Sequence, residues 1–446
     1  MVNLFMSKIR KHLSSSQIIM FGFAGIIIFG TLLLMLPISS QANTFTTFGD
    51  AMFTATSAVC VTGLIVVDTA TYWSIFGQFI IMLLIQIGGL GIVTIAVASF
   101  MAAGRKIGLI QRSALQEAIS APKVGGIVKL TGFLLKTTFL IELIGAVFLA
   151  IPFCRDFGVK GLWLSVFHSV SSFCNAGFDL MGTVSPFSSL TSYRGDLIVN
   201  IATMLLIIIG GVGFLVWEDI KTKKHHIKKY RMQTKVVLST TLVLIFAPAI
   251  YFYFVEFGNL SGTERALAAF FQSVTTRTAG FNTSDLASFS ATGQLITIML
   301  MLIGGSPGST AGGMKTTTIA VLLFSAISVF RKKDDVECFS RRIADSTIKN
   351  AAAIFLMYIV LFIVGGVLIA HMENLPLLDC LYETASAIGT VGLSLGITAT
   401  LGTLSKIILI SLMFFGRVGG LTIIFATLSN NNNNISKRPL ERITVG

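Results

Sequence analysis

Charge is what this sequence has least of: only 12% of its 446 residues are Asp, Glu, Lys or Arg, about half the share in an ordinary soluble domain. A water-soluble globule is excluded. No segment has the composition of a sizeable soluble domain either. Cysteine is rarer still, five residues (Cys60, Cys154, Cys174, Cys338, Cys380) at unrelated spacings, and an odd, scattered set builds neither a disulfide framework nor a metal knuckle. The five histidines (His12, His168, His225, His226, His371) show no ligand spacing beyond one adjacent pair, which reads as part of a solvated basic loop. Ser/His/Asp and paired-carboxylate constellations are missing as well, so nothing argues for an enzyme.

What fills the space is apolar: 54% of residues are hydrophobic and the mean hydropathy is +0.83. Eight segments, 18–38, 72–103, 130–153, 196–217, 236–256, 293–330, 350–370 and 405–428, are long enough for the ~20 residues a bilayer crossing takes. The first follows a basic start, but it is too long for a signal-peptide core and lacks a cleavage pattern. It reads as a first span. Within each successive pair of segments lies a shorter amphipathic stretch, 45–59, 161–173, 264–276 and 377–388. These are too short to cross, and each ends in a glycine-containing loop. In lipid such backbone survives only where it is buried in protein or lines water.

The 33 Lys and Arg residues sort by segment. The N-terminal tail, the loops 104–129, 221–235 and 331–349 and the C-terminal tail hold 24 of them, and the side with the four short stretches holds six. By the positive-inside rule both termini are cytoplasmic and the short stretches dip in from outside. The formal net charge of +13 is then topology and not a nucleic-acid footprint. The 221–235 cluster, with seven basic residues, is also suited to anionic lipid or a protein partner.

Span, dip, glycine loop and span recur four times, and a repeat on this scale decides the fold. In register the loops read Cys60-Val61-Thr62-Gly63, Cys174-Asn175-Ala176-Gly177, Arg277-Thr278-Ala279-Gly280 and Gly389-Thr390-Val391-Gly392, each followed by Leu or Phe. The dips before them are rich in hydroxyls, although copies two and three need a one-residue slip there. One glycine after a helix is ordinarily a C-cap. Four in register are a different matter, because glycine lets carbonyls turn inward with no side chain in the way. A ring of carbonyls can replace the hydration shell of K⁺, and the negative ends of the dip helices favour a cation there. The expected fold is an all-α integral membrane protein with eight transmembrane helices and four re-entrant pore helices, fourfold pseudo-symmetric. Its parts are a tail at 1–17, repeats at 18–104, 128–221, 235–330 and 350–429, and a tail at 430–446.

With these loops, the eight spans and the run Gly304-Gly305-Ser306-Pro307-Gly308-Ser309-Thr310-Ala311-Gly312-Gly313-Met314-Lys315 in the sixth span, the chain resembles the Trk/Ktr/HKT superfamily of cation transporters over nearly its whole length. About 17 residues precede the first span, leaving no room for the extra N-terminal helices of Trk subunits, and the closing Ile443-Thr444-Val445-Gly446 resembles Ktr subunits. The resemblance implies the membrane subunit of a potassium uptake system in the bacterial plasma membrane, homodimeric and gated by a separate cytosolic nucleotide-binding ring. It implies no cofactor on this chain, with K⁺ as cargo. Na⁺ either activates transport or plays no part, and the residues favour neither. The glycine-rich stretches supply no dinucleotide fingerprint.

A charge at mid-span costs roughly 2.5–3.5 kcal/mol, so each needs a partner, water or a function. Arg417 lies deep in the last span between Gly416 and Gly419-Gly420. The run from Gly304 to Lys315 cannot stay helical, and its loosened carbonyls suit the five donors of a guanidinium. The resemblance assigns that run to a gating loop beneath the filter and Arg417 to its contact; the plainer readings are close helix packing for the run and a purely structural role for Arg417. Lys136 is near enough to the cytoplasmic end to snorkel, whereas Glu142 is deeper and has no partner that the sequence names. Arg277 and Glu383 sit behind neighbouring loops, either as a salt bridge bracing the filter or as independent water-facing groups.

Two rivals remain. An alternating-access transporter would show paired broken helices in two inverted halves; here only the sixth span carries a breaking run and the four repeats share one orientation. A structural membrane protein would have no use for four registered glycine loops.

Overall fold

The same order of elements recurs four times along the chain: a long helix, a short helix, a glycine loop and a helix with a break in it. The computed structural model describes residues 14–102, 107–118 and 126–427; the N-terminal basic residues Lys8, Arg10 and Lys11 and the tail at 430–446 lie outside them. The first set is α1 (Ser15–Leu34), α2 (Phe48–Cys60) and the pair α3 (Ile75–Leu90) and α4 (Ile92–Ala102), followed by a connecting helix α5 (Leu109–Ala118). The second is α6 (Ile127–Phe157), α7 (Lys160–Phe173) and the pair α8 (Leu197–Val212) and α9 (Phe214–Lys223). The third is α10 (Met232–Phe254), α11 (Gly262–Thr275) and the pair α12 (Ala291–Leu302) and α13 (Thr316–Phe330). After a hairpin, β1 (Glu337–Cys338) with β2 (Arg341–Arg342), come α14 (Asp345–Glu373), α15 (Leu377–Gly389) and the pair α16 (Thr403–Val418) and α17 (Gly420–Thr427). That hairpin is a small departure from an all-helical chain, seated on Val236, Ala320 and Ile343.

Helix ends follow local chemistry. At the start of α1 the Ser14 hydroxyl accepts from the Gln17 N–H at 3.2 Å and the Gln17 amide oxygen accepts from the Ser14 N–H at 3.0 Å, a reciprocal cap. The helix stops at Leu34, short of residue 38, because Pro37 cannot continue it and biases the residue before it away from helix. Among the described residues four helices, α1, α6, α10 and α14, are long and apolar enough to cross a membrane, or six if the bent pairs α3–α4 and α8–α9 each count as one.

The breaks correct the expectation that the sixth span alone is interrupted. Gly91, Gly213 and Gly419 stand at φ of +84°, +103° and +88° between the members of their pairs, a conformation that glycine enters without penalty. The first two pairs bend by 96° and 91°. Only α12 and α13 are parted by a long loop, Ile303 to Lys315.

Apolar side chains cover the outside as well as filling the core. Long helices turn apolar side chains outward, as Phe139, Leu143 and Val147 of α6 do. The hydroxyl-rich short helices are innermost: every residue from Phe53 to Cys60 is buried, as is every residue from Tyr382 to Gly389. Such a surface suits a hydrocarbon solvent. All five cysteines are free.

Candidate ion-conduction site

Each short helix delivers its chain to a glycine loop, and the four loops share a backbone conformation. Val61, Asn175, Thr278 and Thr390, the second residues of the loops, all lie in the left-handed region at φ between +51° and +64°, an unusual place for non-glycine residues. Two residues later Gly63, Gly177, Gly280 and Gly392 have φ of +92°, +68°, +81° and +96°.

The glycines close a ring. A Cβ at Gly63 would lie 3.1 Å from Gly177 Cα, one at Gly177 2.9 Å from Gly280 Cα, one at Gly280 3.2 Å from Gly392 Cα, and one at Gly392 2.9 Å from Gly63 Cα. Each would also collide with the carbonyl oxygen just before the next glycine, those of Ala176, Ala279, Val391 and Thr62 in turn. Four carbonyls therefore face the ring. A side chain at any of the four positions would fill it. The buried hydroxyls of Thr62, Thr278 and Thr390 have no hydrogen-bond partner among the described residues.

Hydroxyls of the short helices hold the loops from behind. Ser57 and Ser386 accept from the N–H of Gly63 and Gly392, both at 3.0 Å. The Ser171 hydroxyl donates to Phe178 O at 2.7 Å and that of Thr275 to Phe281 O at 2.5 Å. Ser171 stands six residues before its glycine, as Ser57 and Ser386 do, whereas Thr275 stands five before. The register slip expected in copies two and three is thus confined to copy three at this position.

Glu383 and Arg277 do not meet. Glu383 accepts from Ser394 Oγ at 2.5 Å and Thr398 Oγ1 at 2.7 Å, and the guanidinium of Arg277 donates to Thr241 Oγ1 at 3.3 Å. Both are buried rather than water-facing. Glu142 finds the partner that the sequence left unnamed, Gln86 of α3, whose Nε2 donates at 2.9 Å. Gln86 in turn accepts from the thiol of Cys174, at 3.6 Å.

Beneath the ring runs the Gly304–Lys315 segment. Ser306 N–H donates to Gly211 O at 3.0 Å, Thr310 N–H to Gly210 O at 3.3 Å, and Gly313 N–H to Gly416 O at 3.2 Å, while Gly308 O accepts from Phe214 N–H at 2.6 Å. Thr310 Oγ1 bonds Phe173 O at 3.0 Å and Asn175 Oδ1 at 3.2 Å, so the segment touches the second glycine loop. Arg417 donates to Thr310 O, to Gly88 O and, at 3.1 Å, to Gly89 O. Lys315 Nζ donates to Ala311 O at 2.9 Å and Gly312 O at 3.3 Å. The segment is not helical, yet it is pinned rather than loose. A cavity of about 310 Å³, bordered by Gly89, Gly308, Lys315 and Arg417, opens beside it.

One pattern escaped the sequence reading although the letters carry it. Gly88-Gly89-Leu90-Gly91, Gly210-Gly211-Val212-Gly213 and Gly416-Arg417-Val418-Gly419 stand in register, and Gly304-Gly305 opens the loop at the matching place. Side chains at Gly88, Gly210 and Gly416 would collide with Val59 O, Phe173 O and Ile388 O, the carbonyls just before the glycine loops. Arg417 occupies the position that glycine holds in the other three copies.

Known proteins similar to this chain give its family. A family model described as a cation transport protein, TrkH, matches residues 10–437. The chain is 42% identical to the potassium/sodium uptake protein NtpJ of Enterococcus hirae, over 98% of this chain and 99% of that one. It is 41% identical to the Ktr system potassium uptake protein B of Bacillus subtilis, over 94% of each. The crystal structure of the potassium transporter TrkH from Vibrio parahaemolyticus superposes with a TM-score of 0.71 at 20% identity, covering 91% of this chain and 84% of that one. A mostly helical chain with this ring, these apolar helices and these relatives belongs to the TrkH family of cation transport proteins.

Proposed function

We propose that this multi-pass membrane protein takes up K⁺ through the ring of Gly63, Gly177, Gly280 and Gly392. In this reading four straight and four broken helices make eight crossings, and α2, α7, α11 and α15 are re-entrant pore helices about a fourfold pseudo-axis. The observation that carries it is the closed ring, in which each glycine borders the carbonyl of the next loop. Cations shed water where several such oxygens converge. The relatives named as potassium or potassium/sodium uptake proteins support the cargo. The family is one of transporters and not of enzymes.

Selection and control are divided. The glycine loops select, and the Gly304–Lys315 segment with Arg417 obstructs the path below them until it is released. Breaks in all four second helices weaken one objection to alternating access, but they share one orientation and do not form the two inverted halves that mechanism uses.

Control comes from the cytoplasmic side, where both termini lie. Lys223, Lys229, Arg231, Arg341 and Arg342 border one cavity of about 580 Å³, so the two basic loops form one surface, suited to an acidic face of a cytosolic nucleotide-binding ring. The relative named as protein B of a Ktr system supports a cooperating subunit. Arg112, Lys129, Lys136 and Lys221 border a second basic cavity, with Lys221 Nζ 3.9 Å from the Phe133 ring centroid, suited to an anionic lipid headgroup. The protein works as a homodimer in the bacterial plasma membrane, carries no cofactor of its own and is open to Na⁺ as activator. The test is uptake of K⁺, Rb⁺ and Na⁺ into proteoliposomes with the purified protein. Saturable Rb⁺ uptake that a Ser at Gly177 weakens supports the reading; uptake that ignores the ring substitutions overturns it.

A further inference from the structure

The four loops continue past their glycines, and the second residue after each glycine is Ile65, Asp179, Asn282 or Ser394. All four border one cavity of about 250 Å³, and its other wall includes the four ring glycines. The cavity thus lies against the ring, on the side where the loops leave it. Among these four positions one carries a charge.

The polar groups there are arranged as acceptors. The Ser394 hydroxyl donates to Glu383 Oε1 at 2.5 Å and accepts from Gly396 N–H at 2.8 Å, which leaves one further lone pair on its oxygen. Asn282 Nδ2 donates to Ser284 O at 3.3 Å, which leaves Oδ1 as the acceptor. Asp179 Oδ1 accepts from Met181 N–H at 2.9 Å, fixing the carboxylate. Its second oxygen accepts no hydrogen bond among the described residues. Three side-chain oxygens at the mouth of a carbonyl ring, one of them a carboxylate oxygen, suit a cation that still keeps part of its water.

We propose that Asp179, with Asn282 and Ser394, forms an outer cation site in which an arriving monovalent cation is held and starts to lose water before it enters the ring. The inference rests on the transport reading above and names a determinant of it. Asp179 acts by charge and Asn282 and Ser394 act by their oxygens, whereas Ile65 closes the first quadrant to water. The asymmetry has a physical sense: one charge draws a cation in, but four would hold it too tightly to let it pass on.

The test is Rb⁺ uptake into proteoliposomes against external Rb⁺ concentration, for the unmodified protein, for Asp179→Asn and for Asp179→Asn combined with Asn282→Asp. Asn keeps the acceptor for Met181 N–H and removes only the charge. The half-saturating concentration in Asp179→Asn is expected to rise about threefold to tenfold, the size of one charge acting at short range in a partly wet site, with the maximal rate retained. Raising the ionic strength with an impermeant salt shrinks that difference. Moving the carboxylate to the neighbouring loop in the double variant restores the half-saturating concentration, which a merely structural role of Asp179 would not do. An unchanged half-saturation in Asp179→Asn, no recovery in the double variant, or complete loss of uptake overturns the outer site while normal uptake by the unmodified protein leaves the transport reading standing. Absence of uptake by the unmodified protein overturns both.

Discussion

The ring and the segment beneath it are both glycine-rich, yet they are held in opposite ways. Ring loops are tied to their own short helices, as Gly63 N–H is to Ser57 and Gly392 N–H to Ser386. The Gly304–Lys315 segment is tied to parts far away in sequence: to Gly210 and Gly211, to Gly416 and to Arg417. Local ties make a rigid object that comes in four copies. Distant ties make a single object whose position depends on how the other helices stand. Selectivity suits the first and control the second.

The largest effect should come from breaking the ring. Gly177→Ser places a Cβ 2.7 Å from Ala279 O at a φ of +68°, an overlap of the kind that costs about 1–3 kcal/mol. At 1.4 kcal/mol per factor of ten, the half-saturating Rb⁺ concentration should rise about tenfold or more and Na⁺ should compete better. Concentration-dependent uptake with Na⁺ as competitor measures both.

Release of the lower segment should act on rate instead. Charged hydrogen bonds contribute about 1.5–3 kcal/mol each, so Arg417→Ala should raise the maximal uptake rate on the order of tenfold and leave half-saturation nearly unchanged. Arg417→Lys should close the path only in part, because an ammonium cannot reach Thr310 O and the Gly88 and Gly89 carbonyls together. Uptake at saturating Rb⁺ checks both variants; a maximal rate that is unchanged or lower assigns Arg417 to packing.

Two weaker perturbations should sort the same way. Reversing Lys229 and Arg341 to Glu should lower affinity for a cytosolic partner about fivefold, less at high salt, and change rate without changing half-saturation. Sedimentation binding with the partner, at two salt concentrations, measures it. External pH should move half-saturation and not the rate. Burial pushes the Asp179 carboxyl up to about 7, with the Met181 N–H pulling it down and Asp68 adding to the rise. Other titratable groups around this mouth are His168, whose Nε2 accepts from Leu180 N–H at 3.4 Å, and Glu383 behind Ser394. The charge is present above about pH 7 and lost below it, so half-saturation should rise about threefold from pH 8 to pH 6. The dependence should flatten in Asp179→Asn.

Much of this was legible in the sequence because the membrane enforces it. The long apolar helices, the four short helices and the glycine loops after them follow from apolar runs and repeated glycines. The breaks at Gly91, Gly213 and Gly419 were not, since one glycine lowers helix propensity by only about 1 kcal/mol and does not end an apolar run by itself. Their signal was the repeated Gly-Gly-x-Gly spacing, visible once the loops are aligned. Arg417 was visible as a misplaced charge, but its second set of acceptors on α3 was not, because nothing in the letters brings residues 88 and 417 together. Pairing Arg277 with Glu383 fails for the opposite reason: opposite signs invite it, while Ser394 and Thr398 already serve Glu383 and Arg277 turns to Thr241.

The ring assignment faces its most direct test in competition at the unmodified protein: Rb⁺ uptake into proteoliposomes, measured against increasing external K⁺ or Na⁺. Four glycine positions lined by carbonyls predict that K⁺ halves Rb⁺ uptake at a concentration about tenfold or more below that needed for Na⁺. Equal potency of the two ions would contradict it.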